Sequence, residues 1–164
     1  MSGRYSGVVP SYYRDPTAPE PNAPRKVGVT AIIERDGEFL VERRVDDADV
    51  WAFIGGTVED GEPLADTLRR EVREETGYDV ESARLMGVFS DPTRIVAYPD
   101  GTICRVLSIA FRTTVAGSAE PLFSAESAGM RFVAREELAT LPFWAIHRPI
   151  RELLLADPYD VVVA

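Results

Sequence analysis

Glu71, Glu74 and Glu75 stand at i, i+3 and i+4, with Arg70 directly before them. On a helix that spacing puts the three carboxylates on one side. The neighbouring residues predict such a helix over 63–76, because Pro63 suits a first turn and Gly77 a C-terminal cap. Leu64, Ala65, Leu68 and Val72 form the apolar stripe expected to face a core. At about 100° per residue, Glu71 and Glu75 fall within about 20° of Leu64, in line with that stripe. Like charges held there repel and lose hydration, which costs several kcal/mol per ion. Arg70 reaches Glu74 at i+4, but one arginine does not neutralise three acids, and Arg73 projects to the far side. Clustered hard oxygen donors suit Mg²⁺ or Mn²⁺. The plainer reading of a Glu-x-x-Glu-Glu run is a solvated face laced with ion pairs.

The residues around the cluster change that balance. Gly56 is followed after five residues by Glu62, then after seven by Arg70-Glu71, Val72, Arg73, Glu74-Glu75, Thr76, Gly77 and Tyr78. This stretch resembles the Nudix box, G-x5-E-x7-R-E-U-x-E-E-x-G-U with U aliphatic, and departs from it only at Tyr78. Ile54 and the pair Thr67-Leu68 differ from common choices and are read as packing changes away from any ligand.

The resemblance implies an α+β fold of the Nudix type, an α/β/α sandwich around a mixed sheet. It implies that Glu71, Glu74 and Glu75 ligate Mg²⁺ or Mn²⁺, joined by the carbonyl of Gly55. Arg70 would orient a glutamate, and Glu62 would brace the loop or bind through water. Metal would then neutralise charge on the leaving oxygen and activate a water for attack on phosphorus. The base would be Glu74, Glu71 or an acid from a later loop. The expected activity is Mg-dependent hydrolysis of a nucleoside diphosphate linked to another moiety, such as ADP-ribose or a nucleotide sugar. A nucleotide-pool sanitiser that cuts (d)NTPs to monophosphate and pyrophosphate is the alternative enzyme. A non-catalytic sensor of nucleotide sugars is the rival of another class, and loss of box glutamates would mark it; none is lost.

Fewer residues outside the box carry chemistry. Glu126 is a candidate extra ligand or base, with an ordinary surface acid the plainer reading, and Glu120 is less well placed. Trp51 and Phe53 can stack a base, although packing in a core is their commoner job. His147, the only histidine, reads as a helix surface residue. Asp91-Pro92 and Tyr98 to Gly101 sit on loops of the kind that set substrate choice.

The elements that must position these residues follow from pattern. Lys26 to Val41 reads as a β-hairpin closed by Asp36-Gly37. Trp51 to Val58 reads as a strand broken by a loop. Strands are expected over 83–89, 95–98, 103–113 and 130–133, and helices over 135–140 and 145–156. Strands, helix, strands, helices without βαβ alternation indicate a mixed sheet rather than a doubly wound nucleotide fold. Residues 1–24 hold five prolines with Tyr5, Tyr12 and Tyr13, which predicts an extended arm ahead of a domain over 25–164. The tyrosines favour docking, on the same domain or on a second copy in a homodimer.

At 164 residues the chain suits one such domain, and its single cysteine, Cys104, rules out an internal disulfide and suits a reducing compartment. The expected location is cytoplasmic, since no stretch reaches the ~18 apolar residues of a membrane span. A net charge of −9 argues against an electrostatic nucleic-acid binder.

Overall fold

A computed structural model describes residues 9–45, 49–117, 120–122, 127–157 and 160–164. The long strands β2 (Lys26–Arg35) and β3 (Glu38–Arg44) form the hairpin, with Asp36 and Gly37 both at positive φ. Two short strands follow, β4 (Trp51–Ala52) and β5 (Ile54–Thr57), then α1 (Leu64–Thr76). Next come β6 (Val80–Phe89), β7 (Ile95–Ala97), β8 (Ile103–Val115) and β9 (Ser127–Ala134). α2 (Arg135–Thr140), a 3₁₀ turn (Ala145–His147), α3 (Arg148–Ala156) and β10 (Val162–Val163) complete the chain, and β1 (Ser11–Tyr12) lies in the arm.

The sheet is mixed. β2 runs parallel to β8 and antiparallel to β3 and β5, while β6 and β7 lie antiparallel along β8. β3 pairs antiparallel with β9 and β4. Both faces are apolar, as the run Val29–Ile33 requires. Val29, Ala31 and Ile33 join Leu40, Ile54, Leu68 and Val72 beneath α1. Ile32 points the other way, to Phe53, Phe89, Phe143, Ile150 and Leu154 beneath α2 and α3. The result is an α/β/α sandwich.

Residues 9–24 lie back against the sheet of the same chain. β1 pairs with β7, Asn22 accepts from Ile103 N–H through Oδ1 at 2.8 Å, and Val9 packs against the cluster of Val96, Cys104, Val106 and Ile146. Tyr12 and Tyr13 are half-buried there, so one chain meets the need that suggested a second copy. Tyr5 lies outside the described residues. The amphipathic reading of α1 also needs correcting at its start. Leu64 is 36% exposed and Ala65 is exposed. The buried stripe is Thr67, Leu68, Glu71, Val72 and Thr76.

Two basic side chains lie deep in the fold. Arg94 is 0% exposed and donates to the carbonyls of Phe89, Val106 and Ile146 and to Ser108 Oγ. Burial pulls its pKa down to about 10. It pins the end of β6 and the middle of β8 to the 3₁₀ turn. His147 on that turn is 7% exposed, so the surface placement expected from sequence is wrong. It packs edge-on to Trp144 and accepts from the Phe53 N–H through Nδ1 at 3.2 Å.

Burial, then the charges of Arg94 and Arg44, hold the His147 pKa well below its ordinary value. The unfolded chain therefore takes a proton below pH ~6.5 that the folded chain refuses. Stability from this group is intact above pH ~6.5 and falls with decreasing pH by up to about 1.4 kcal/mol per unit. Glu71, whose pKa burial raises, acts in the opposite sense. Urea unfolding of wild type and His147→Asn between pH 7.5 and 5.5 separates the two, on the order of two pH units of titration. The asparagine variant is expected to lose less stability over that range; parallel curves would remove His147 from the balance.

Candidate functional site

The glycine strand comes first, because its backbone makes room for the acids. β5 lies against β2, and a Cβ on Gly55 would stand 2.2 Å from the Val29 carbonyl oxygen. A Cβ on Gly56 would stand 2.2 Å from the Glu71 carboxyl group. Close approach to the β2 backbone requires glycine at Gly55, whereas a side chain at Gly56 would push the Glu71 carboxyl group from its place. Gly55 also donates its N–H to Glu75 Oε2 at 3.1 Å.

Arg70 organises the other side. Its Nε and Nη2 clasp the two oxygens of Glu62 at 2.8 and 2.9 Å. Nη2 also reaches the Thr57 carbonyl at 3.2 Å, and Nη1 reaches Glu71 at 2.7 Å and Glu74 at 3.5 Å. One guanidinium on α1 thus ties the end of β5 and the loop residue Glu62 to Glu71 and Glu74 of the helix. The bidentate pair holds the Glu62 carboxyl down at about 2, and its partners push Arg70 above the ordinary arginine value. Glu71, 7% exposed, is raised by burial against the opposing pull of Arg70. Glu74, by contrast, is open to solvent, its side chain 57% exposed.

Thr67 belongs to this knot, against the expectation that it stays clear of any ligand. It is fully buried and donates from Oγ1 to Glu62 Oε2 at 2.8 Å. Its place one turn before Glu71, on the same helix side, was the available signal. His147 was also missed, since nothing local in sequence points to Phe53.

The remaining candidates scatter. Phe53 is 1% exposed and sits edge-on to Phe143, which leaves it no open face for a base. Trp51 is half-buried, with the Arg131 guanidinium 4.7 Å from its ring centre. Glu126 lies outside the described residues. Glu120 is exposed, Asp91 is held by Thr93, and Asp100 accepts from Thr102 N–H.

For a divalent cation, the donor set is hard carboxylate oxygen, and the space a Gly56 side chain would fill is the space Glu71 uses. The residues present therefore fit such an ion. Among the described residues no three His, Cys, Asp or Glu side chains already converge on one point. Glu71 instead turns to Arg70, and Glu75 to Gly55. To share one ion, these side chains must turn from their present partners.

The chain is similar to known proteins. The NUDIX domain description matches residues 23–154. A nucleoside triphosphatase NudI from an Enterobacter species is 34% identical over 119 residues, which cover 69% of this chain and 84% of that one. NudI from Escherichia fergusonii is 42% identical over 79 residues, 45% of this chain and 56% of that protein. The chain thus spans little more than half the length of several curated relatives it matches. In structure it is similar to an ADP-ribose pyrophosphatase from Streptococcus suis, with TM-score 0.65 and 19% identity. That likeness covers 85% of this chain and 98% of the other, and it speaks for the fold alone. With the glutamate helix, the glycine strand and a match over most of its length, the chain belongs to the NUDIX family.

Proposed function

We propose that the protein is a divalent-metal-dependent pyrophosphohydrolase acting on a nucleotide. The observation that carries this reading is Glu71, buried against a glycine backbone with Glu74 and Glu75 on the same helix side. Such a cluster has a use for a cation that a structural helix does not. Glu71, Glu74 and Glu75 would hold Mg²⁺ or Mn²⁺, with Gly55 contributing its carbonyl and Glu62 acting through Arg70 or a water. The ion supplies charge neutralisation at the pyrophosphate and a more acidic water. This chain's residues do the rest. Arg70 opposes the effect of burial on Glu71 and aims its carboxyl group, and solvent-open Glu74 is the side chain best placed to accept a proton from an attacking water. Retention of every box glutamate opposes the sensor reading.

Two substrate classes fit. The first is a nucleoside diphosphate linked to another group, such as ADP-ribose or a nucleotide sugar. The second is a (d)NTP, and the Enterobacter relative favours it, since 84% of a protein named as a nucleoside triphosphatase aligns with this chain. Trp51 would then serve as a side wall for the base, a role Phe53 is too buried to take. A cytoplasmic setting suits Cys104, a buried thiol whose pKa burial raises. No helix among the described residues is long and apolar enough to cross a membrane.

The test is product analysis of a panel containing ADP-ribose, nucleotide sugars and all (d)NTPs, with Mg²⁺ and with excess EDTA. Hydrolysis of at least one class is expected in Mg²⁺ alone, and equal turnover in EDTA would sink the metal reading. Monophosphate plus pyrophosphate marks the triphosphate class, and a nucleotide plus a phosphorylated fragment marks the other. On the active substrate, Glu74→Gln and Glu75→Gln are each expected to lower kcat by roughly 10²-fold. Full activity in both would move catalysis elsewhere, with Glu126 the next acid to test.

Gly56→Ala offers an independent check. Its added methyl group would displace the Glu71 carboxylate, so activity is expected to fall by on the order of 10²-fold. Activity within about threefold of wild type would show that Glu71 is not needed where it stands.

A further inference from the structure

The chain changes neighbours at Phe53. Before it, β4 pairs with β3; after it, β5 pairs with β2. A residue at such a switch has no ladder partner for its N–H, and Phe53 is 1% exposed, so water does not serve either. The acceptor comes from 94 residues away, the Nδ1 of His147 at 3.2 Å. Two residues further on, Gly55 donates to Glu75, and Gly56 lies against Glu71.

His147 is itself held from several sides. Arg94 donates twice to the carbonyl of Ile146, at 3.1 and 2.8 Å. Ser11 Oγ in the arm accepts from Ala145 N–H at 3.1 Å, and Trp144 N–H donates to the Trp51 carbonyl at 2.9 Å. The 3₁₀ turn is thus a fixed post, and the imidazole is its contact with the strand that carries the glycines.

We propose that His147 is a positioning residue for the glutamate site, holding the strand switch at Phe53 so that Gly55 and Gly56 meet Glu75 and Glu71 in register. It acts through backbone and touches no substrate. The proposal rests on the hydrolase reading for its kinetic consequence, but not for its geometric one. The imidazole must carry its proton on Nε2 and leave Nδ1 as acceptor. Asparagine, whose Oδ1 reaches the Nδ1 position, is the conservative replacement. Leucine fills the space and accepts nothing.

The test compares wild type, His147→Leu, His147→Asn and a control, Leu154→Ala, which removes core volume beneath α3. Amide hydrogen exchange at Phe53 and Gly55 is read alongside kcat and KM, below the melting temperature of each variant. His147→Leu is expected to exchange faster at both amides and to lose about 10²-fold in kcat, with KM changed by no more than about twofold. His147→Asn is expected to restore both readouts, and Leu154→Ala to keep kcat within about threefold despite its stability loss. Equal kcat loss in His147→Leu and Leu154→Ala, or unchanged exchange in His147→Leu, overturns the proposal. ¹⁵N NMR of the wild-type imidazole is independent of whether any variant folds, and a proton found on Nδ1 at pH ~7 overturns it as well. If wild type hydrolyses nothing in the panel, the hydrolase reading fails, and exchange at Gly55 still decides the positioning claim.

Discussion

A single guanidinium makes this arrangement of acids possible. Arg70 faces Glu62, Glu71 and Glu74 together, and Glu71 is nearly buried. Without a cation beside it, Glu71 would either take up a proton or leave the sheet, because an isolated buried carboxylate costs several kcal/mol. Arg70 is better suited than lysine, since its planar fork meets Glu62 bidentately while its remaining N–H groups serve the Thr57 carbonyl and the other acids. The loop after β5 and the helix α1 are thereby locked to each other before any ligand enters.

That lock constrains everything in front of it. The Glu71 carboxyl group lies where a Gly56 Cβ would stand, and Gly55 clears the Val29 carbonyl of β2. With two glycines in four residues, β5 has little side-chain packing beyond Ile54, which lies in the core, and is otherwise held by its ladder with β2. Polar contacts fix its ends: Thr57, whose carbonyl Arg70 holds, and Phe53 just before it, whose N–H His147 holds. Buried Arg94 then fixes the turn carrying His147 by satisfying carbonyls of three different segments. Polar groups that meet far apart in sequence set the geometry, and the three apolar clusters supply the cohesion.

Much of this was legible along the chain. The Asp36-Gly37 turn, the helix, which begins at Leu64 rather than at Pro63, and the cap at Gly77 are each set by local backbone chemistry, and they stand within one residue of where local signals put them. The acidic cluster was legible for the same reason, since fixed spacing on a helix fixes a shared side. Long-range partnerships were not. Nothing near His147 shows that it faces Phe53, and nothing near Leu64 shows that it is left exposed. Thr67 reads as a neutral substitution until Glu62 folds over it. The arm's prolines announced an extended conformation, but its choice of β7 and the 3₁₀ turn depends on a surface built from distant strands.

Arg70 is the counter-charge that offsets the burial of the Glu71 carboxyl group. Thermal unfolding of wild type and Arg70→Met, each in EDTA and in Mg²⁺, reads that role. Without metal, Arg70→Met should be less stable by about 3 kcal/mol, because it strands a buried acid. Mg²⁺ should restore a larger share of stability to the variant than it adds to wild type, since the ion can replace the missing charge. A variant as stable as wild type in EDTA, with the same response to Mg²⁺, would contradict the account.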